Sequence, residues 1–327
     1  MNNRILIYLI NLFILINISF SLPRFSLQNS ASCIACHVNP TGSGMRNSYG
    51  NDVVSLEELP FEKWINKGDD SWNGFIGDHL QLGGDFRFQG IQYDNSDSTR
   101  KTAFFPMQAD IYTNLNLNQD ASFYSKVGAR GRNSIEIEYW ILLNNLPNNI
   151  WLKIGKSLPN FGLKVDDHTS FIRGGNYNRT ILNNQKEGLI FGPFLNPPLL
   201  LEIGIPIKNY FFTTSLSTGL TLNNEELNNF TTQLQYYGKF NNYNYMYSFS
   251  YMNENLLRIL GFSGGLAISS FRYTFEIDQA KYWISNYTSI AAYNQLVFEI
   301  VQGVHILAKY DFFDPNTDFS SGSISRY

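Results

Sequence analysis

Charge is what this sequence has least of. Only 16% of the 327 residues are Asp, Glu, Lys or Arg, against about 25% in an ordinary water-soluble domain. The 24 Lys and Arg nearly balance the 27 Asp and Glu, for a net charge of −3. No basic block stands out, so the concentrated positive surface that phosphate binding needs is absent and a nucleic-acid partner is excluded. Long apolar runs are lacking as well. After residue 20 none approaches the roughly 18 residues of a spanning helix, which excludes a polytopic helical membrane protein. What the chain does have is neutral polarity and aromatic surface: 26 Phe, 20 Tyr and 5 Trp among many Asn, Ser, Thr and Gly.

The amino terminus carries an address. Arg4 precedes an apolar stretch over residues 5–20, and Ser19-Phe20-Ser21 places small residues where signal peptidase reads. Cleavage after about Ser21 is expected. An uncleaved anchor is the competing reading, and either one puts the rest of the chain outside the cytoplasm.

Cysteine and histidine are scarce but clustered. The chain has two Cys and four His, and three of these six fall in Cys33-Ile34-Ala35-Cys36-His37. C-x-x-C-H is the attachment motif of c-type haem, in which the thiols add to the porphyrin edge and the adjacent imidazole becomes the proximal iron ligand. One motif implies one covalently attached haem c, with Cys33, Cys36 and His37 as its holders. The competing readings are a disulfide or redox pair and a zinc site. The redox pair wants a βαβ context that residues 25–70 do not show, and zinc would need a further ligand. For the sixth iron ligand the candidates are Met45, in the loop Thr41-Gly42-Ser43-Gly44-Met45, then His79 and His168, with Met107 and an open iron as further options. Met45 ranks first. The choice matters because Met/His ligation raises the haem potential, whereas an open position permits small-molecule chemistry.

From about Asp78 the pattern turns to period two. Leu80, Leu82, Phe86 and Phe88 alternate with Gln81, Asp85 and Arg87, as half-polar strands do. Similar alternation recurs at 107–117, 121–129, 133–143, 148–157, 186–194, 198–207, 209–221, 229–240, 242–252, 256–262, 264–278, 286–300 and 303–313. Many of these runs exceed the usual five to six residues of soluble strands and suit a tilted crossing of a bilayer. On one strand Tyr243, Tyr245, Tyr247, Phe249 and Tyr251 share a face opposite Asn244, Met246, Ser248 and Ser250. Tyr139-Trp140, Tyr236-Tyr237 and Tyr282-Trp283 stand near strand ends, where an aromatic girdle belongs. A soluble sandwich would charge its outer face. A wet-lumened barrel wants apolar residues outside and neutral polar ones inside.

The expected fold is therefore all-β, an outer-membrane antiparallel β-barrel of about 14–16 strands preceded by a short monohaem cytochrome c segment. The boundaries are a signal peptide over 1–21, the cytochrome segment and linker over 22–77, and the barrel over 78–327. So large a barrel is not filled by its own wall side chains. The connection 158–185 is the candidate for a loop folded into the pore, with Asp166, Asp167, His168, Arg173 and Arg179 as constriction residues and a solvated external loop as the alternative. Counted with a strand at 186–194, Asn223 to Asn229 falls at the short-turn end. After Lys309-Tyr310-Asp311-Phe312-Phe313 no clear closing strand follows, so either 318–327 is a poor last strand or the closing strand is missing.

Two resemblances add to this. Pro23-Arg24-Phe25-Ser26 and Cys33-Ile34-Ala35-Cys36-His37-Val38-Asn39-Pro40 resemble the mature amino terminus of the fused monohaem cytochrome–porin proteins of the bacterial outer membrane, some of which are implicated in oxidising extracellular Fe(II). Ile154-Gly155-Lys156-Ser157-Leu158-Pro159-Asn160-Phe161-Gly162-Leu163 looks like the G-x-x-x-P-x-F-G-L signature of phosphate-selective porins. The first resemblance implies electron transfer between an extracellular donor or acceptor, such as Fe(II), and a periplasmic cytochrome or other carrier. Outer-membrane lipid is the surrounding partner, with the haem segment on the periplasmic side or in the barrel lumen. The alternative is a porin-like solute channel in which the haem segment is a plug, tether or redox sensor. No hydrolytic or transferase site is visible. A bilayer core about 30 Å thick is too wide for one haem parked in the periplasm, so the electron-transfer reading expects the segment inside the barrel mouth.

Overall fold

The computed structural model of this chain describes residues 23–54, 74–94, 100–130, 134–165, 170–175, 188–189, 197–220, 226–302, 304–319 and 322–327. The leader and four candidate residues, Asp166, Asp167, His168 and Arg179, lie outside them.

Fifteen strands form one antiparallel meander in which each strand pairs with its neighbours in sequence. They are β1 (Phe75–Ile76), β2 (Leu80–Asp94), β3 (Arg100–Asn116), β4 (Ala121–Arg130), β5 (Ser134–Leu146), β6 (Ile150–Lys156), β7 (Leu199–Ile207) and β8 (Tyr210–Thr218). There follow β9 (Leu227–Phe240), β10 (Tyr243–Glu254), β11 (Leu257–Ile268), β12 (Phe271–Lys281), β13 (Thr288–Val301), β14 (Val304–Asp314) and β15 (Ile324–Arg326). From β2 to β14 the strands run from 7 residues in β6 to 17 in β3, and most are long enough to cross a hydrocarbon core at a tilt.

The period-two pattern sorts side chains to two unlike faces. On β5, Ile135, Ile137, Tyr139 and Ile141 are exposed while Glu136, Glu138, Trp140 and Leu142 are buried. On β10, Tyr243 and Phe249 are exposed while Met246, Ser248, Ser250 and Met252 are buried. An apolar exterior this extensive is a lipid-facing surface, and water would not tolerate it on a monomer. The polar face is buried because the sheet wraps around two stretches of the same chain. Residues 23–54 bond to Gln81 on β2, Lys153 on β6, Asn244 on β10 and Arg272 on β12. The inward connection after β6 bonds to Glu202 on β7, Ser250 on β10 and Glu276 on β12. The molecule is a porin-like β-barrel with a filled lumen.

Three expectations need correction. No strand forms at the described residues of 186–194: Gly188 and Leu189 lie outside the sheet, Leu189 is fully buried, and its N–H donates to Phe171 O at 2.7 Å. Without that strand β6 pairs directly with β7, and the β8–β9 connection joins the end of the barrel that carries the long β6–β7 connection. The break expected at Ser263 falls instead at Ser269-Ser270, where Ser269 takes φ 51°. Gly264 and Gly265 stay within β11 because they make room, not turns. A Cβ on Gly265 would stand 2.9 Å from Leu27 Cδ2, and one on Gly264 would meet the Phe275 ring at 2.9 Å. Finally, the lumen is not lined by neutral groups alone. The few charges gather there as pairs: Lys126 with Glu136 at 2.5 Å and Glu138 at 2.9 Å, Lys153 with Glu202 at 2.7 Å, and Arg173 with Glu276 at 2.9 Å. Buried charge persists when it is paired.

At the far edge Ile324–Arg326 adds to β14 as a three-residue strand. Among the described residues no ladder joins it to β1 or β2.

Candidate cofactor site in the lumen

The Cys33–His37 turn is held from four directions. A short helix, Pro23–Asn29, begins on a proline whose missing N–H costs nothing at a first turn. Its Leu27 packs among Leu163, Tyr237, Met246 and Ala267, so the helix is seated on the inner wall of β9–β11. Next comes a single 3-10 turn, Cys33–Ala35, in which Cys36 N and His37 N both donate to Cys33 O, at 3.1 and 3.0 Å. Asn47 closes over this turn: its N–H donates to Cys36 O at 3.0 Å, and its Nδ2 donates to Ile34 O and Ala35 O at 3.3 and 3.1 Å. Gly50 lies against the turn so closely that a Cβ would stand 2.1 Å from Cys36 O. Gly42, at φ 87°, leaves room for the Cys33 side chain, whose Sγ a Cβ there would meet at 3.0 Å.

The loop that follows is tied to the wall by charge. Asn39 Oδ1 accepts from the Thr41 hydroxyl at 3.1 Å and from Lys153 Nζ at 3.2 Å. His37 and Arg46 then pair across a short antiparallel bridge. Met45 turns away into an aromatic nest of Tyr112, Tyr124, Trp140, Trp151 and Phe211.

Between the segment and the wall lies a pocket that is partly open to solvent. Cys33, Cys36 and His37 line it from the segment, Leu163 and Lys164 from the inward connection, and Tyr237 and Met246 from β9 and β10. The two thiols are not joined in a disulfide. Burial, then the neighbouring Arg46 charge, push the His37 imidazole down to about 4, which leaves it neutral at physiological pH, the form that binds metal. Its Nδ1 is buried without a hydrogen-bond partner. Burial also raises Cys33 and Cys36 and lowers Lys164 to about 8.

Among the described residues no three His, Cys, Asp or Glu side chains converge as a metal cluster. Two thiols and an imidazole that share a cavity without converging suit a broad group, gripped through sulfur at its edge and nitrogen nearer its middle. A single ion would require them to meet at a point.

The other candidates fall elsewhere. Met45 does not line the cavity. His79 is exposed at the β1–β2 turn, with Nδ1 3.0 Å from Asn116 O. Met107 belongs to β3. Arg173 is buried in the lumen, where its guanidinium donates to Glu276 at 2.9 Å and to Leu163 O and stands 3.7 Å from Asp278. It holds the connection that floors the cavity and does not itself line it.

Asn47, Gly42, Gly50, Lys164, Tyr237 and Met246 were not anticipated. The Gly-rich loop and the Pro159-Asn160-Phe161-Gly162-Leu163 string were the available signals. The latter enters the lumen, where Asn160 N donates to Glu202 at 3.0 Å, Gly162 N to Ser250 Oγ at 3.0 Å and Leu163 N to Glu276 at 2.7 Å. Gly162, at φ 55°, has no room for a side chain beside Glu276.

No family model matches this sequence, and no curated protein matches it. Solved structures with a related shape include the Salmonella typhi OmpF complex with daunomycin, at 8% identity and TM-score 0.49 over 75% of this chain and 82% of that one. OmpT, an outer membrane protein of Vibrio cholerae, matches at 10% identity and TM-score 0.35 over 73% and 88%. A variant of the Rh. blastica porin matches at 9% identity and TM-score 0.37 over 72% and 94%.

Proposed function

We propose that this chain is a porin-like barrel of the bacterial outer membrane that carries one haem c in its lumen and passes electrons across that membrane. The observation behind this reading is the placement of Cys33, Cys36 and His37 on one cavity, between a luminal segment and the barrel wall. A partly open pocket beside two thiols and a neutral imidazole brings together the three side chains that the haem attachment motif uses. When bound, a haem supplies a one-electron couple whose potential follows its axial ligands and surroundings.

The chain's own residues do the rest. Asn47 and Gly50 set the turn that presents the thiols. Gly42 clears the Cys33 side chain, and His37 lines the same pocket as the two thiols. Lys153, paired with Glu202, ties the segment to β6. Leu163, Tyr237 and Met246 restrict water at the wall side. Arg46 and Lys164 place positive charge on the same cavity, suited to carboxylates at a cofactor's rim.

The test is a visible spectrum of the detergent-extracted protein made with a c-type haem maturation system, before and after anaerobic addition of Fe(II). A reduced c-type α-band on adding iron supports both covalent haem and iron as donor. A band that appears only with dithionite keeps the cytochrome and removes iron. No haem-linked band under either condition overturns the reading.

A second reading is favoured by the inner wall itself, where Ser215, Ser217, Thr231, Gln233, Ser248 and Ser250 form a polar lining of the porin type. On this reading the barrel is a solute channel and the amino-terminal segment its plug. Planar-bilayer conductance that is indifferent to loss of Cys33 and Cys36 would favour it.

A further inference from the structure

We propose that Met246, on the inner face of β10, supplies the sixth ligand to the iron, so that the two axial ligands come from different parts of the molecule: His37 from the luminal segment and Met246 from the barrel wall. The inference rests on the haem reading above. It begins from the donors on the cavity. The lining offers hydroxyls, amides, the cations Arg46 and Lys164, the Tyr237 phenol, a single imidazole and a single thioether. Haem iron in c-type centres is held by imidazole and by thioether, and among the lining residues the thioether belongs to Met246.

The placement carries the argument further. Met246 is 8% exposed and stands opposite Tyr237 in the β9–β10 register, next to Leu27 and Leu163. The inward face of β10 also carries Ser248, Ser250 and a second methionine, Met252, but Met252 packs in the core around Phe161 and Phe171 and does not line the pocket. His37 lines the same pocket from the luminal segment, so one occupant of the pocket could reach both side chains.

The methionine nearest the motif in sequence is not a competitor. Met45 Cε is 3.5 Å from the Cβ position of Gly83, within the aromatic nest and off the cavity. The bond is dative, from a sulfur lone pair to iron, and consumes no oxidant. Two consequences follow: a raised potential and an iron closed to small ligands.

The experiment uses the full chain, matured with haem and held in detergent. Covalent haem is first counted on the denatured protein, a readout blind to the sixth ligand; its absence overturns the haem reading and this proposal together. With covalent haem present, the oxidised protein is expected to show the far-red sulfur-to-iron charge-transfer band. Met246→Leu, which conserves volume, should abolish the band and lower the midpoint potential, while Met45→Leu keeps both. Met246→His should restore a low-spin spectrum without the band, showing that the position reaches the iron. A band that survives Met246→Leu, a band lost in Met45→Leu, or a wild-type protein with covalent haem and no band overturns the ligand assignment and leaves the haem intact.

Discussion

Two stretches of chain fill this lumen, and they are held there in different ways. The connection after β6 is a finished core: Phe161, Phe171, Ile172 and Leu189 are all at or below 2% exposure and pack with Met252, Ile259, Tyr293 and Phe313 from the wall. Its charge, Arg173, is matched by Glu276 and Asp278. The amino-terminal segment is anchored at separate points, Leu27 and Met45 by packing and Asn39 and Thr41 by Lys153. Between these points Cys33, Cys36 and His37 remain half-buried against a cavity. One insert is completed by polypeptide and the other is not. Under the haem reading proposed above, the segment would hold the cofactor and the connection would support it.

The comparison can be broken most sharply at the thiols. Replacing both, Cys33→Ser with Cys36→Ser, is expected to abolish covalent haem entirely and to open residues 23–54 to protease, while residues 157–165 and 170–175 stay protected. Equal loosening of both would mean the segment does not depend on a cofactor.

Next in size are the buried ion pairs. Arg173→Leu strands Glu276 and Asp278 and should cost about 3–5 kcal/mol, read as a lower urea midpoint. Lys153→Met strands Glu202 and should cost a similar amount, but its effect should fall on the segment, as reduced haem attachment. Adding Glu202→Leu to Lys153→Met should recover most of the stability, because the penalty is that of an unpaired buried charge.

A smaller effect is expected from Gly50→Ala. The added methyl must displace Cys36 O, an overpacking cost of about 1–3 kcal/mol, and haem yield should fall while the folded barrel, measured by its heat-modified migration, is unchanged.

The smallest concerns pH. Burial lowers Lys164 to about 8 from an ordinary 10.5, so between those values the unfolded chain binds the extra proton and the Lys164 contribution to stability should rise with pH, opposed by the raised Cys33 and Cys36 thiols. In haem-free protein, Lys164→Met should flatten that rise, measured as the urea midpoint at pH 8 and pH 10.

Much of this was legible along the chain. Period-two alternation located most strands because each side chain on a barrel strand must choose between lipid and lumen. It misled at one turn: the gap between the runs 256–262 and 264–278 fell at Ser263, whereas β11 continues through Gly264 and Gly265, which clear space for Phe275 and Leu27. It also misled at 186–194, where Leu189 is buried by the connection's own core and not by a sheet. The C-x-x-C-H spacing was legible because it is a local pattern. Met45, placed first among the distal candidates in its Gly-rich loop, packs in the aromatic nest, an orientation that local sequence does not record.

The sequence by itself determined an all-β chain with one thiol–imidazole motif, since alternation and motif are local patterns that hydrophobicity and covalent spacing enforce. Only the tertiary structure decided that the motif lies inside the barrel, that scarce charges pair within the lumen, and that Tyr237, Lys164 and Met246 share a cavity with His37. Those facts depend on contacts between residues far apart in the chain, which wall curvature and packing bring together and no local pattern records.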